Sequence, residues 1–291
     1  MRTELRSRGQ TAAIGPDLPF VLIGERINPT GRKKLGAQMA AGDFSAVRRD
    51  AESQLASGAR MLDVNTGYAM GDEIAMLRDA VRAVQAVCDV PLCLDSSRID
   101  ALEAALAVYE GKALVNSVTG EEDRLLAILP LVRKYNAAVI GVVSDEAGIP
   151  AGARERLAVA RKILARARDY GIAAEDVILD PICLPAAVDA HAAEVTIETI
   201  RLIRDELAAN TCCGASNVAF GLPERAMLSA AFLAMAIGSG LTAAIADVRN
   251  PVVRETVLAS QVLTGRDEYA VQWLAYSREK LKAAAQLARV G

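Results

Sequence analysis

The chain has 291 residues, 52% of them hydrophobic and only 4% aromatic, so a single large aliphatic core is within reach. A net charge of −3 leaves no electrostatic footprint for a sequence-independent nucleic-acid binder. Three arginines among the first ten residues are followed by no apolar signal segment, no apolar stretch is long enough to span a membrane, and the five cysteines show no CxxC spacing; a cytoplasmic protein with reduced thiols is expected.

After a lead-in over 1–18, expected to be irregular, apolar runs and amphipathic stretches alternate strictly. Strands are predicted at 20–25, 60–64, 91–95, 113–117, 138–143, 177–180, 212–218 and 241–246. Helices are predicted at 43–57, 73–88, 99–109, 121–135, 152–170, 192–209, 224–238 and 251–263. Asp43 and Asp72 stand where N-caps are wanted, and Gly58 and Gly171 where helices stop. Eight strand–helix units predict one α/β domain over 19–265, a closed (β/α)₈ TIM barrel. A doubly wound open sheet is the alternative, but no Gly-x-Gly-x-x-Gly follows a strand. Residues 266–291 read as an extra amphipathic helix with the only Trp, Trp273, packed on the barrel or across a subunit interface.

Four apolar runs end in a carboxylate or an amide: Met61-Leu-Asp-Val-Asn65, Leu92-Cys-Leu-Asp-Ser96, Ala113-Leu-Val-Asn-Ser117 and Val177-Ile-Leu-Asp-Pro181. A fifth segment, Gly214-Ala-Ser-Asn-Val-Ala-Phe-Gly-Leu-Pro-Glu-Arg225, places an Asn in a Gly-rich turn. Asp and Asn are poor strand formers and belong at strand ends, where a barrel builds its site. Asp95, Asn116, Asp180 and Asn217 would then face one mouth. Together they suit a flat heterocycle whose edge alternates N–H and C=O, such as a pterin or guanine. Capping of the next helix is the plainer role for any one of them. Glu25, Asn28, Asp63, Asn65, Ser96 and Ser216 are further candidates for the same rim. Arg26 is expected to pair with Glu25 or a nearby Asp. Arg32, Lys33 and Lys34 read as a solvated basic loop, with a dock for a ligand's carboxylates as the weaker alternative.

Other features are bland. His191, the only histidine, sits in Asp189-Ala-His-Ala-Ala-Glu194, which departs from the Asp-x-His-x-x-Gly motif of corrinoid-binding domains at Glu194. It reads as an ordinary residue at a helix start. With one histidine, serine–histidine catalysis and a His-rich metal site are not expected, and Cys212-Cys213 reads as core; no metal site is predicted.

Six segments, in order, carry a resemblance: Gly24-Glu-Arg-Ile-Asn28, Asp63-Val-Asn65, Leu94-Asp-Ser96, Val115-Asn-Ser117, Leu179-Asp-Pro181 and Gly214-Ala-Ser-Asn-Val-Ala-Phe-Gly-Leu-Pro223. From about 20 to 250 the chain resembles the pterin-binding methyltransferases that act on methyltetrahydrofolate and a corrinoid protein. These are related to the folate module of cobalamin-dependent methionine synthase and, more distantly, to dihydropteroate synthase. The resemblance implies a (β/α)₈ barrel, usually a homodimer, that holds the pterin with Asp95, Asn116 and Asp180. It implies that Asn217 contacts N5, where the methyl bond breaks. The substrates implied are tetrahydrofolate or methyltetrahydrofolate and a cobalamin (corrinoid) carried by a separate partner protein. Thr242 departs from the pattern, because relatives commonly carry Asp there. The expected activity is methyl transfer between N5 of tetrahydrofolate and cobalt. The alternatives are a dihydropteroate synthase-like reaction, with Arg249 available for a pyrophosphate, and a non-catalytic folate-binding subunit.

Overall fold

The computed structural model describes residues 1–287. The expectation of an irregular lead-in is corrected at once. β1 (Thr3–Arg6) and β2 (Thr11–Ile14) form an antiparallel hairpin, with Thr3 opposite Ile14 and Arg6 opposite Thr11. Leu5, Ala12 and Ile14 are buried while Arg6 and Thr11 are exposed, the alternation a half-buried hairpin requires.

Eight parallel strands follow: β3 (Val21–Ile27), β4 (Met61–Asn65), β5 (Leu92–Asp95), β6 (Leu114–Thr119), β7 (Ala138–Val142), β8 (Val177–Asp180), β9 (Cys212–Gly214) and β10 (Ala243–Ala246). Each pairs with the next in sequence from β3 to β8, and β10 lies between β3 and β9. The seam between β8 and β9 is bridged where Leu179 meets Thr211, with Leu179 N donating to Asn210 O at 2.9 Å. The result is the predicted (β/α)₈ barrel. The strands read as unbroken aliphatic runs because side chains on both faces are covered. Val21, Ile23, Met61, Cys93, Leu114, Ala138, Ile140, Ile178, Cys212 and Ala243 fill the lumen. β9 is shorter than expected, since residues 215–219 turn into a 3₁₀ helix instead of extending the strand.

The helices are α1 (Lys33–Ala40), α2 (Ser45–Ala56), α3 (Glu73–Gln85), α4 (Ile99–Leu106), α5 (Glu122–Lys134), α6 (Ala153–Asp169), α7 (Ala192–Leu207), α8 (Arg225–Ser239), α9 (Pro251–Leu263) and α10 (Val271–Leu287). Asp72 caps α3 by accepting from Ile74 N and Ala75 N, and Asn250 caps α9, with Pro251 in its first turn. Asp43 accepts from Ser45 N at the start of α2. Helix α1 corrects the basic-loop reading, since Lys33 and Lys34 form its first turn, exposed to solvent. The extra helix α10 lies against α9. Tyr276 and Lys280 both reach Glu255, at 2.8 and 2.6 Å, and the Arg254 guanidinium sits 4.6 Å from the Tyr276 ring centre. Residues 288–291 of the expected C-terminal segment lie outside the described residues. Among the described residues no helix is long and apolar enough to cross a membrane.

The hairpin plugs the amino-terminal end of the barrel. Leu5, Ala12 and Ile14 join the lumen residues in one buried cluster. Arg6 and Lys112 exchange two backbone hydrogen bonds, at 3.0 and 2.9 Å. Asn210 Nδ2 donates to Thr3 Oγ1 and to Ile14 O, both at 3.0 Å. Gly111 makes this approach possible, because at φ +142° with the Arg6 carbonyl against its Cα a side chain has no room.

Candidate active site

All eight strands run the same way, so their carboxyl ends share the opposite mouth. There Glu25, Asp63, Asp95, Asn116, Asp180, Ser216 and Asn217 line one cavity of about 570 Å³. Strand register explains the grouping. Asn65, Asp95 and Asn116 stand side by side on β4, β5 and β6. Asp63 precedes Asn65 by two residues, so it points the same way one layer deeper, where it is 2% exposed. Asn116 Nδ2 donates to Asp63 Oδ1 at 3.3 Å, and Asn65 Nδ2 to Asp95 Oδ2 at 2.9 Å. Asp180 accepts from Ile182 N at 2.8 Å. Behind that loop the buried Arg156 donates to the carbonyls of Pro150, Pro181 and Ile182 at 2.8–2.9 Å.

The predicted rim divides on inspection. Asn28 lines the cavity and accepts from Thr30 N. Asn65 does not line it; its amide supports Asp95 from the side and accepts from Gly67 N. Ser96 also stands outside. It is 3% exposed, donates to Glu73 and accepts from Arg98 N at the entry to α4, so its work is local to that turn.

Burial pushes Asp180 up to about 7, against the opposing pull of the Ile182 N–H and Arg156. Burial, with the nearby Glu73 charge, lifts Asp95 to about 6 although Asn65 donates to it. Asp63 is raised well above the carboxylate range by burial and by its neighbour Asp95. Glu25 is raised by burial, partly offset by the Ser216 hydroxyl. Where burial outweighs the pull of any nearby cation, an acid is strained as an anion, and N–H donors brought against it relieve the strain.

These acids cost the empty protein stability. Asp180 carries more protons folded than unfolded between pH 4 and 7, so its penalty is absent at low pH and complete above 7. Asp180→Asn should therefore stabilise the ligand-free protein at pH 8 by about 1–3 kcal/mol, or roughly 2–5 °C. The gain should fade towards pH 5 in thermal melts. An equal gain at both pH values would mean that the titration is not its source.

Sequence reasoning missed Asp247, which follows β10 and lines the cavity. Its signal was present, because Ala243-Ala-Ile-Ala-Asp247 is one more apolar run ending in a carboxylate. Thr242 stands at the foot of β10. Its hydroxyl donates to Thr211 O at 2.8 Å and accepts from Thr211 N at 2.9 Å, tying β9 to β10 far from the mouth. Arg26 pairs with Asp247 at 3.7 Å and not with Glu25. Arg249 lies 3.1 Å from Asp247 and 3.6 Å from Asp50, while Arg32 is 2.7 Å from Asp50. Arg249 and Arg32 are thus engaged by carboxylates. Phe220 and Arg225 form an exposed corner of the cavity, the guanidinium 5.0 Å from the ring centre.

His191 opens α7 with its side chain in solvent, 3.1 Å from Glu194. The cysteines are all buried and unbridged. Among the described residues no group of three or more His, Cys, Asp or Glu side chains could hold a metal ion.

This parallel barrel, whose strand ends gather Asp, Asn and Asp around one cavity, matches the pterin binding enzyme family over residues 24–247, and the chain belongs to that family. Among curated proteins it is similar to a methylcorrinoid:tetrahydrofolate methyltransferase of Eubacterium limosum. The two are 26% identical over 256 residues, 85% of this chain and 92% of that protein. It is also 29% identical over 238 residues to the methionine synthase of Mycobacterium leprae, of which the match spans 20%. Among solved structures, Yersinia pestis DHPS with a pterine–sulfa conjugate superposes with a TM-score of 0.64 at 17% identity, covering 90% of this chain and 99% of that one. The last likeness concerns the fold.

Proposed function

We propose that the protein moves a methyl group between N5 of tetrahydrofolate and the cobalt of a corrinoid carried by a separate protein. The observation that carries this reading is the position of Asn217. Its side chain is exposed on an otherwise largely buried turn after β9, across the mouth from Asp95, so a heterocycle gripped from one side presents its other edge to an amide. The likeness to a methylcorrinoid:tetrahydrofolate methyltransferase along nearly its whole length supports the same reaction.

On this reading Asp95, Asn116 and Asp180 hold the pterin's pyrimidine edge, the carboxylates accepting from its N–H groups and the amide matching donor and acceptor. Asp63 braces Asn116 from below. Methyl transfer is a displacement in which the Co(I) of the partner takes the methyl and the electron pair of the broken bond returns to N5. An amide cannot supply a proton at neutral pH, but it can hydrogen-bond N5 as charge develops there. No covalent nucleophile is required, and the buried cysteines offer none, since burial raises their thiols. Positioning of the two reactants accounts for about 7–11 kcal/mol of the barrier in such reactions. A pyrophosphate-releasing synthase is less well served, because Arg249 is engaged by Asp247 and Asp50.

Mixing the protein with methyltetrahydrofolate and cob(I)alamin in a single turnover tests the reading. Loss of the Co(I) absorbance with formation of methylcobalamin is expected. Tight pterin binding with no transfer would leave a folate-binding subunit, and absence of both would sink the proposal.

A further inference from the structure

The methyl-transfer reading leaves one chemical demand unmet, because N5 must gain a proton as its bond to carbon breaks. Glu25 stands where that demand falls. It lies in the bulge of β3 between Gly24 and Ile27, lines the cavity, and its Oε1 accepts from Ser216 Oγ at 3.0 Å. That bond reaches over β10 to the turn that carries Asn217 one residue further on. Glu25 differs from its neighbour Asp247. Asp247 is ion-paired to Arg249 and Arg26, whereas among the described residues Glu25 makes no ion pair and has the Ser216 hydroxyl as its side-chain partner. The remaining acids are placed otherwise: Asp95 is bonded to Asn65, Asp63 to Asn116, and Asp180 to the backbone of its own loop.

We propose that Glu25 is the acid–base group of the site, delivering its proton to N5 when methyltetrahydrofolate is demethylated and taking it back when tetrahydrofolate is methylated. The proposal rests on the methyl-transfer reading. In the first direction the Glu25 O–H bond breaks and an N5–H bond forms. The electron pair of the N5–CH₃ bond goes to nitrogen, and the partner's Co(I) supplies the pair that binds the methyl group. The carboxylate is then reprotonated from water at the open mouth. In the second direction each bond change reverses. Ser216 is a positioning residue that holds the carboxyl group beside the Asn217 turn.

The surroundings suit this role. Burial raises Glu25, and Asp247 at the end of β10 raises it further. Arg26 beside it and Arg225 at the start of α8 pull the other way, and Arg249 after β10 and Asp63 on β4 also lie within its field. The group is therefore protonated at a higher pH than an exposed glutamate, which lets it donate.

The test uses single-turnover transfer from saturating methyltetrahydrofolate to cob(I)alamin, with affinity measured separately by calorimetry. Glu25→Gln should bind methyltetrahydrofolate within about threefold of wild type yet transfer about 10²–10⁴-fold more slowly. The wild-type rate should fall as rising pH removes the proton, and that limb should be missing in Glu25→Gln. Ser216→Ala removes the hydrogen bond that favours the anion, so its limb should move to higher pH while the protein stays folded. A Glu25→Gln rate equal to wild type, or a loss of rate matched by an equal loss of affinity, would overturn the assignment. So would an unmoved limb in Ser216→Ala. Failure of the wild-type protein to transfer would overturn the methyl-transfer reading itself, and Glu25's role with it.

Discussion

Asp95→Ala is expected to abolish measurable methyltetrahydrofolate binding while leaving the protein folded. Asp95 ends β5 at the centre of the row Asn65, Asp95, Asn116, and its carboxyl group opens into the cavity. Burial and Glu73 hold it near 6, so at neutral pH it is an anion under strain. A pterin edge offers two N–H groups to it, and hydrogen bonds to a charged group contribute about 1.5–3 kcal/mol each. Losing both weakens binding by roughly two to four orders of magnitude. The Asn65 amide also loses its partner, which adds to the cost of the bound state. Thermal stability separates this outcome from unfolding. Removal of a strained anion should leave the melting temperature at pH 8 unchanged or higher. Unchanged affinity by calorimetry would remove Asp95 from the binding slot.

Asn217→Ala should show the opposite pattern, with affinity kept within a few-fold and transfer slowed about 10²–10³-fold. That magnitude is typical of removing one hydrogen-bond donor from a developing charge. The geometry supports a kinetic role more than a gripping one. Asn217 is exposed on the 3₁₀ turn 215–219, whereas Asn116 is half-buried and bonded to Asp63. Gly214 makes room for it, since a Cβ there would fall 2.9 Å from the Asn217 side-chain nitrogen. Gly214→Ala should thus behave as a milder version of the same lesion. A single-turnover rate for Asn217→Ala equal to wild type would show that the amide does not act at N5.

Much of this site was legible because parallel strands announce themselves. A run such as Leu92-Cys-Leu-Asp95 is apolar on both faces and can hold an acid only at its end. The same rule holds for Ala243-Ala-Ile-Ala-Asp247, whose acid closes an apolar run as Asp95 does. Other residues follow from pairing and not from order in the chain. Nothing local says that Ser216 would meet Glu25 across 191 positions, or that Asn65 would brace Asp95 while Ser96 turned away to Glu73. Helix α1 leaves little trace in the sequence, because it has eight residues, a Gly within it and no side-chain cap at Arg32. The opening hairpin did carry a two-residue alternation, with Leu5, Ala12 and Ile14 inward, in strands only four residues long.

The closed end of the barrel also bears on traffic. Side chains of the strands already fill the lumen, Leu5 and Ile14 cap it from below, and Asn210 and Lys112 fasten the hairpin to the barrel floor, so the cavity opens only at the mouth. Both reactants must then use one door. On the proposed reading the folate, which seats at the depth of Asp95 and Asp180, has to enter before the much larger corrinoid carrier covers the opening, and the carrier has to leave before the folate can. The closed floor thereby imposes a queue, with the small substrate first in and last out.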